Sequence, residues 1–105
     1  MFIAMNNFQV KAGHEAEFEE RWRTRESYLA EVDGFVHFAL LRGDEPGDYA
    51  SHTIWRDRDA FVAWTQSPSF AAAHRQGSVG PVLDGPPHSR LLESVLTDGA
   101  PIAAA

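Results

Sequence analysis

The chain has 105 residues and a mass of 11.7 kDa, a length that fits a single domain. Fifteen Asp and Glu residues against nine Lys and Arg give a formal charge of −6 at pH 7. This charge argues against a nucleic-acid partner, because nucleic-acid affinity depends mostly on neutralised phosphates. The chain contains no cysteine, which excludes disulfides, zinc–thiolate sites, iron–sulfur clusters and cysteine nucleophiles.

The ends and apolar runs of the sequence indicate no membrane association. The first five residues lack the basic segment that precedes the apolar run of a signal peptide. No apolar run is as long as a membrane span. We therefore expect a cytoplasmic protein.

Residues 2–10 alternate between two faces, as in a β-strand. The face expected to contact the helices holds Phe2, Ala4, Asn6, Phe8 and Val10. The opposite face holds Ile3, Met5, Asn7 and Gln9.

An acidic segment beginning near His14 predicts the start of a helix, because the helix dipole favours carboxylates in the first turn. One face of this helix is formed by residues at helical spacing, namely Phe18, Trp22, Arg25 and Leu29. We expect the helix to end near Asp33-Gly34, where glycine can adopt the left-handed conformation.

Two further strands, 35–42 and 49–55, are predicted to form a hairpin around the turn residues 43–48. Asp57 is a predicted N-cap of the next helix, and Ser67-Pro68 is predicted to start another helical piece, which ends near Gly77.

The C-terminal part is predicted to contain a loop, one strand and a tail. Residues 77–88 are rich in Gly and Pro and predict the loop, and residues 89–97 predict the last strand. The Ala-rich tail, 98–105, is expected to be flexible.

The order of elements is β-α-β-β-α-β, which predicts an α+β, ferredoxin-like antiparallel sheet with both helices on one face, as one domain over residues 1–105. The other face of the sheet would expose Ile3 and Met5 in a monomer. We expect a homodimer, since a short chain buries a small fraction of its surface and a second copy would cover this face.

Two polar residues stand out in apolar surroundings. Asn6 needs a hydrogen-bond partner or a ligand, and the alternatives are an error in the assumed strand register or pairing with local backbone. His74 follows three alanines in Phe70-Ala71-Ala72-Ala73-His74, so small side chains could leave a flat slot for a planar ligand. An imidazole is a good iron ligand, and the alternative is a surface histidine at a helix C-terminus.

Larger side chains near these positions have two interpretations. Trp22 and Trp64 are either core residues or part of a ligand pocket. Arg25 either binds a ligand carboxylate or extends along the surface to solvent. His37 and His52 have no carboxylate at metal-ligand spacing. A nucleophile elbow, a Gly-rich phosphate loop and a Rossmann unit are all missing from the sequence.

Six motifs occur in order: Asn6 in the first strand, Glu20-Arg21-Trp22-Arg23-Thr24-Arg25, Gly34-Phe35, Thr53-Ile54-Trp55, Ala60-Phe61-Val62-Ala63-Trp64 and Phe70-Ala71-Ala72-Ala73-His74. Over residues 3–76 this pattern resembles the heme-degrading monooxygenases of the IsdG type, within the antibiotic biosynthesis monooxygenase superfamily. The resemblance implies a ferredoxin-like dimer whose two sheets form a shared barrel, with one heme per subunit.

The resemblance also implies residue roles. His74 would be the proximal iron ligand, Asn6 would donate a hydrogen bond on the distal side, and Trp64 would press on the porphyrin. Trp22 and Phe70 would line the heme pocket, and Arg25 could approach a propionate.

The implied activity is heme degradation, with heme as both substrate and cofactor. Dioxygen and an external electron donor, such as a reductase, would be required for ring opening and release of iron. Two alternatives stay open. One is a cofactor-free monooxygenase of the same superfamily acting on an aromatic or quinol substrate, and the other is a heme-binding module without turnover.

Overall fold

The computed structural model describes residues 1–25, 27–75 and 80–99, without the side chains of residues 73–75. The chain forms, in order, β1 (Phe2–Gln9), α1 (Glu15–Thr24), β2 (Phe35–Arg42), β3 (Asp48–Trp55), α2 (Arg58–Thr65), α3 (Pro68–Arg75) and β4 (His88–Glu93). Short 3₁₀ turns span Leu29–Glu31 and Gly80–Val82. Within these described ranges, no helix has the length and apolar character needed to span a membrane.

The four strands form one antiparallel sheet in the order β2-β3-β1-β4. This order confirms the predicted α+β, ferredoxin-like architecture. β1 is central, and it pairs Asn6 with Ser51 of β3 on one side and with Ser89 of β4 on the other.

The start of both later helices follows the predicted capping. The Asp57 carboxylate accepts a hydrogen bond from the backbone N–H of Ala60 at 2.8 Å. The Ser67 hydroxyl accepts one from the backbone N–H of Phe70 at 3.3 Å, and Pro68 is the first residue of α3. These bonds satisfy donors that a helix N-terminus otherwise leaves unpaired.

The predicted end of the first helix, near Gly34, is wrong. α1 ends at Thr24, and Arg25 has extended backbone angles, φ −75° and ψ 141°. Local side-chain bonds compete with the helix there: the Thr24 hydroxyl donates to the Glu20 carbonyl, and the Ser27 hydroxyl accepts from the Leu29 N–H. Leu29 still reaches the core, but from a separate 3₁₀ turn.

Gly34 has the predicted left-handed conformation, with φ +82°, but at the entry to β2. Its carbonyl accepts a hydrogen bond from the backbone N–H of Arg56 at 2.7 Å. A Cβ at this position would collide with the Cβ of Ala60 in α2. Glycine therefore permits both the turn and the close approach of α2.

The last strand is shorter than the predicted range 89–97. Its ladder with β1 ends at the pair Phe2–Glu93, and the Ser94 N–H bonds to the Met1 carbonyl. Because β1 begins at Phe2, the chain after Ser94 has no strand to pair with. Of the predicted flexible tail, residues 100–105 lie outside the described part of the chain.

The predicted loop 77–88 contributes to the core. Val82 and Leu83 are 2% and 6% exposed. The Lys11 N–H bonds to the Val82 carbonyl at 2.8 Å, and the Asp84 N–H bonds to the Gln9 carbonyl at 2.7 Å. This segment therefore extends the packing around the end of β1. Residues 76–79 lie outside the described ranges.

The core is divided into two hydrophobic clusters on the helix side of the sheet. The first contains buried Phe8, Val10, Phe18, Tyr49, Val82 and Leu83. The second contains buried Phe2, Leu29, Trp55 and Ala60. Phe2 and Phe8 lie near opposite ends of β1, so the middle of the sheet, at the level of Ala4 and Asn6, lies between the clusters.

Candidate active site

A cavity of about 370 Å³ lies over the middle of the sheet, between the two clusters. Its walls come from β1, β2, β3, β4, α1 and the segment after it, α2 and α3. Five of the six predicted site residues line it: Asn6, Trp22, Arg25, Trp64 and Phe70. The fold therefore assembles residues that are up to 64 positions apart in the sequence.

Asn6 belongs to the polar floor of the cavity. Its Oδ1 accepts a hydrogen bond from the Ser89 hydroxyl at 2.5 Å. Ser51 and Thr53 of β3 also line this floor, and Ser51 is 5% exposed. The partner of Asn6 is thus a side chain of the neighbouring strand, and the alternative of pairing with local backbone is wrong.

The helix-side wall is aromatic. The Trp64 ring centroid lies 5.2 Å from that of Trp55 and 4.8 Å from that of Phe70, the latter pair edge to face. Phe61 also lines the cavity. α2 and α3 bring these rings together, and Trp64 is only partly buried because one side of it faces the cavity. Trp64 is therefore both a packing residue and a cavity residue.

The remaining wall combines aromatic rings with a cation. The Arg25 guanidinium carbon lies 4.4 Å from the centre of the Trp22 ring and 5.8 Å from that of Phe38. The Trp22 and Phe38 rings stack at 5.6 Å. These distances are in the range of cation–π attraction. The chain turns out of its helical conformation at Arg25, which lets the guanidinium fold back over Trp22.

Arg25 is half-buried, and burial lowers the pKa of its guanidinium from the ordinary value. Arginine nevertheless stays protonated in proteins. No ion pair joins it to a carboxylate anywhere in the described ranges. The Trp22 indole N–H is also buried without an acceptor there. This wall therefore offers a ligand one cation.

His74 is in the last turn of α3, but its side chain lies outside the described part of the chain. Its predicted role as an iron ligand stays a prediction. Among the described residues, no cluster of three or more His, Asp or Glu side chains could hold a metal ion. His37 and His52, by contrast, do lie together, with ring centroids 5.7 Å apart.

A second hollow, of about 310 Å³, shares the Trp22 and Phe38 wall with the cavity. At its edge Glu19 accepts hydrogen bonds from the Tyr49 hydroxyl at 2.5 Å and from Arg42 at 2.6 Å. The Tyr49 bond, and then the Arg42 bond, hold the pKa of Glu19 below its ordinary value. These contacts fix α1 against the hairpin and so help to position Trp22.

Sequence reasoning missed several residues that line the cavity. The hydroxyl residues Ser51, Thr53 and Ser89 form its floor, and Phe38 and Leu91 add apolar surface. The strand register would have identified the two serines, since Ser51 and Ser89 are both directly opposite Asn6. Without the pairing, isolated serines in a strand give no such indication.

This chain is similar to known proteins both in sequence and in fold. The family model of the antibiotic biosynthesis monooxygenases matches residues 1–76. A heme oxygenase (mycobilin-producing) of Mycobacterium tuberculosis is 35% identical over 86 residues, which cover 79% of each chain. The solved structure of the heme degrader MhuD of that organism, with two hemes bound in its active site, has a TM-score of 0.75 at 31% identity and covers 94% of this chain and 100% of its own.

A second kind of relative has a similar fold. The structure of SnoaB, a cofactor-independent oxygenase from Streptomyces nogalater, has a TM-score of 0.69 at 27% identity, over 91% of this chain and 94% of its own. The family model covers most of the chain, and the relatives agree in fold along nearly its whole length. The chain therefore belongs to the antibiotic biosynthesis monooxygenase family, as its sequence motifs predicted, and the expected oxidoreductase class is confirmed.

Proposed function

We propose that this chain is a heme-degrading monooxygenase with heme as both substrate and cofactor. The observation that supports this most directly is that Asn6, Trp22, Arg25, Trp64 and Phe70 all line the same cavity. These are the residues that the resemblance to heme-degrading enzymes assigns to the site. The similarity to the mycobilin-producing heme oxygenase and to MhuD supports the same activity.

The described residues fit a flat, apolar ligand with acidic groups at its edge. Aromatic rings form two walls, and about 370 Å³ is within the usual size of small-molecule sites. Arg25 has no carboxylate partner in the described ranges, so it can bind a propionate by a charge-assisted hydrogen bond.

When bound, heme supplies an iron centre able to activate dioxygen with electrons from an external donor. In the proposal the His74 imidazole would hold the iron, and the Asn6 amide would offer its N–H groups as hydrogen-bond donors to the ligand in the cavity. Trp64 and Phe70 restrict the position of the ring, and Arg25 fixes its acidic edge. The aromatic walls keep water away from the reacting region, which strengthens each of these polar contacts. Ring opening and release of iron complete the proposed activity.

Hemin titration tests the proposal. We expect a Soret band that saturates at one heme per chain, is lost in His74→Ala, and persists in His14→Ala, a control at an exposed histidine. Addition of a reductant under air should then bleach the band as the ring opens. Absence of any Soret change on titration would refute the proposal. A stable band under reductant and air would instead indicate a heme-binding module without turnover.

A second candidate is a cofactor-free monooxygenase acting on an aromatic or quinol substrate. The similarity to SnoaB favours it, and the aromatic walls of the cavity would accept such a ring. In this case metal-free protein would consume dioxygen with a quinol, and His74→Ala would leave that consumption unchanged. Hemin titration and oxygen uptake thus separate the two candidates.

The proposal includes a homodimer formed through the open face of the sheet. Ile3 of β1 is directly opposite Ile54 of β3 and Leu92 of β4 on this face, and all three are partly exposed. A second copy would bury this apolar row and Met5 beside it. Light scattering of the purified protein should give twice the chain mass, and Ile3→Glu should give a monomer. The expected cytoplasmic location and the reductase partner are predictions that cell fractionation and reconstitution would check.

A further inference from the structure

A row of three polar residues crosses the floor of the cavity. Asn6 is in the middle, with Ser51 opposite it on β3 and Ser89 opposite it on β4. Because residues directly opposite each other on neighbouring strands point to the same face, all three side chains face the helix side. The row occupies the gap between the two hydrophobic clusters.

The two serines differ in their contact with Asn6. The Ser89 hydroxyl donates to Asn6 Oδ1 at 2.5 Å. In the described part of the chain no side-chain hydrogen bond joins Ser51 to Asn6, and none is made by Asn6 Nδ2. Nδ2 is also not one of the buried atoms without a partner. The amide oxygen is therefore occupied, while the amide nitrogen is accessible at the cavity floor.

The orientation of this amide decides what the cavity floor offers a ligand. A carboxamide can rotate to exchange its oxygen and its NH₂ group, and the two ends have opposite polarity. With Oδ1 held by Ser89, two N–H donors remain for a ligand. With the amide reversed, an acceptor oxygen would face the ligand and would repel developing negative charge there.

We propose that Ser89 is a positioning residue that holds the Asn6 amide with its N–H groups available to the cavity. The role of Asn6 itself rests on the proposed function, in which this amide is a hydrogen-bond donor to the bound ligand. Ser89 acts through Asn6. Ser51, on the other side of Asn6, makes no side-chain hydrogen bond to it in the described ranges and provides the matched control.

The first test uses the ligand-free protein and so does not depend on the proposed function. The side-chain amide signals of Asn6 are identified by their loss in Asn6→Ala, in ¹⁵N–¹H correlation spectra. We expect Ser89→Ala to shift these signals and to broaden them as the amide begins to reorient. Ser89→Thr, which keeps the hydroxyl, and Ser51→Ala should leave them close to the wild-type positions. Equal shifts in Ser89→Ala and Ser51→Ala would overturn the proposal.

The second test measures binding of cyanide, a small anionic iron ligand, to the hemin-loaded ferric protein. Ser89→Ala should raise the cyanide Kd roughly two- to tenfold, the range expected for one net hydrogen bond. Ser89→Thr should stay within about twofold of wild type. The double variant Asn6→Ala/Ser89→Ala should match Asn6→Ala alone, because Ser89 acts only through the amide.

The outcomes separate this inference from the proposed function. If wild type binds no hemin, the proposed function fails, and the amide signals of the ligand-free protein still decide the role of Ser89. If hemin binds and Asn6→Ala weakens cyanide binding but Ser89→Ala does not, the positioning role is refuted. Full additivity of the two substitutions would refute it as well.

Discussion

Gly34→Ala is expected to destabilise the fold strongly, for two separable reasons. An alanine would have to adopt φ +82°, which costs roughly 1–2 kcal/mol for a residue with a Cβ. Its Cβ would also overlap the Cβ of Ala60, and overpacking of this kind costs about 1–3 kcal/mol. Together these give about 2–5 kcal/mol, a large share of the roughly 5–15 kcal/mol that stabilises a typical domain.

Gly13→Ala is the matched control. Gly13 has φ +84°, nearly the same as Gly34, but no atom lies within 4 Å of the position of an added Cβ. Both substitutions include the same backbone strain and the same loss of freedom in the unfolded chain. The difference between their free energies of unfolding in urea therefore measures the contact with Ala60, which we expect to be about 1–3 kcal/mol.

A compensating substitution provides the decisive comparison. Ala60→Gly in the Gly34→Ala background removes the overlapping Cβ, so it should recover most of that difference. Ala60→Gly alone should lose about 1 kcal/mol from its place in α2. Equal destabilisation by Gly34→Ala and Gly13→Ala would show that α2 does not lie against the turn as described.

Three further predictions concern the cavity wall, a partly buried histidine and a helix cap. Arg25→Met should keep the packing against Trp22 but weaken hemin binding about tenfold or more. Binding of the dimethyl ester of hemin, which lacks the carboxylates, should weaken much less. An equal loss of affinity for both ligands would contradict the carboxylate contact. Burial lowers the pKa of His52, so the unfolded chain takes up the proton first, near pH 6.5. The free energy of unfolding in urea should therefore hold above that pH and fall below it, and the fall should be smaller in His52→Gln; parallel curves would refute this. Asp57→Ala removes the bond to the Ala60 N–H and should cost about 1 kcal/mol by the same measurement, whereas Asp57→Asn should retain most of the stability.

Much of the fold was predictable because its signals are local. Asp57 and Ser67-Pro68 cap helices through bonds that span three residues, so their types and spacing were enough to identify both starts. The end of α1 was not predictable from spacing, because Leu29 keeps the helical interval while it reaches the core from a separate turn. A periodic pattern indicates which side chains are buried. A continuous helix and a helix followed by a separate turn can bury the same side chains, so the pattern does not distinguish them.

Some residues of the candidate site were likewise predictable from the sequence, and others were not. Asn6 and Arg25 were singled out by residue type, since each is polar in a position where the pattern required explanation. Trp22 and Trp64 also fitted ordinary core packing, and the family resemblance assigned them to the site. Ser89 was missed because a hydroxyl in a strand is common, and its contact with Asn6 joins residues 83 positions apart. Long-range pairing of this kind depends on the sheet register, which the local sequence does not specify.

The gap between the two hydrophobic clusters links the stability of the protein to its ligand. A ligand that fills the cavity would join both clusters into one continuous core. By mass action, ligand at a hundred times its Kd would add about 2.7 kcal/mol to the free energy of unfolding. If that ligand is also consumed, each turnover returns the protein to its less stable form. Cellular lifetime, through exposure to proteases, would then follow the supply of substrate.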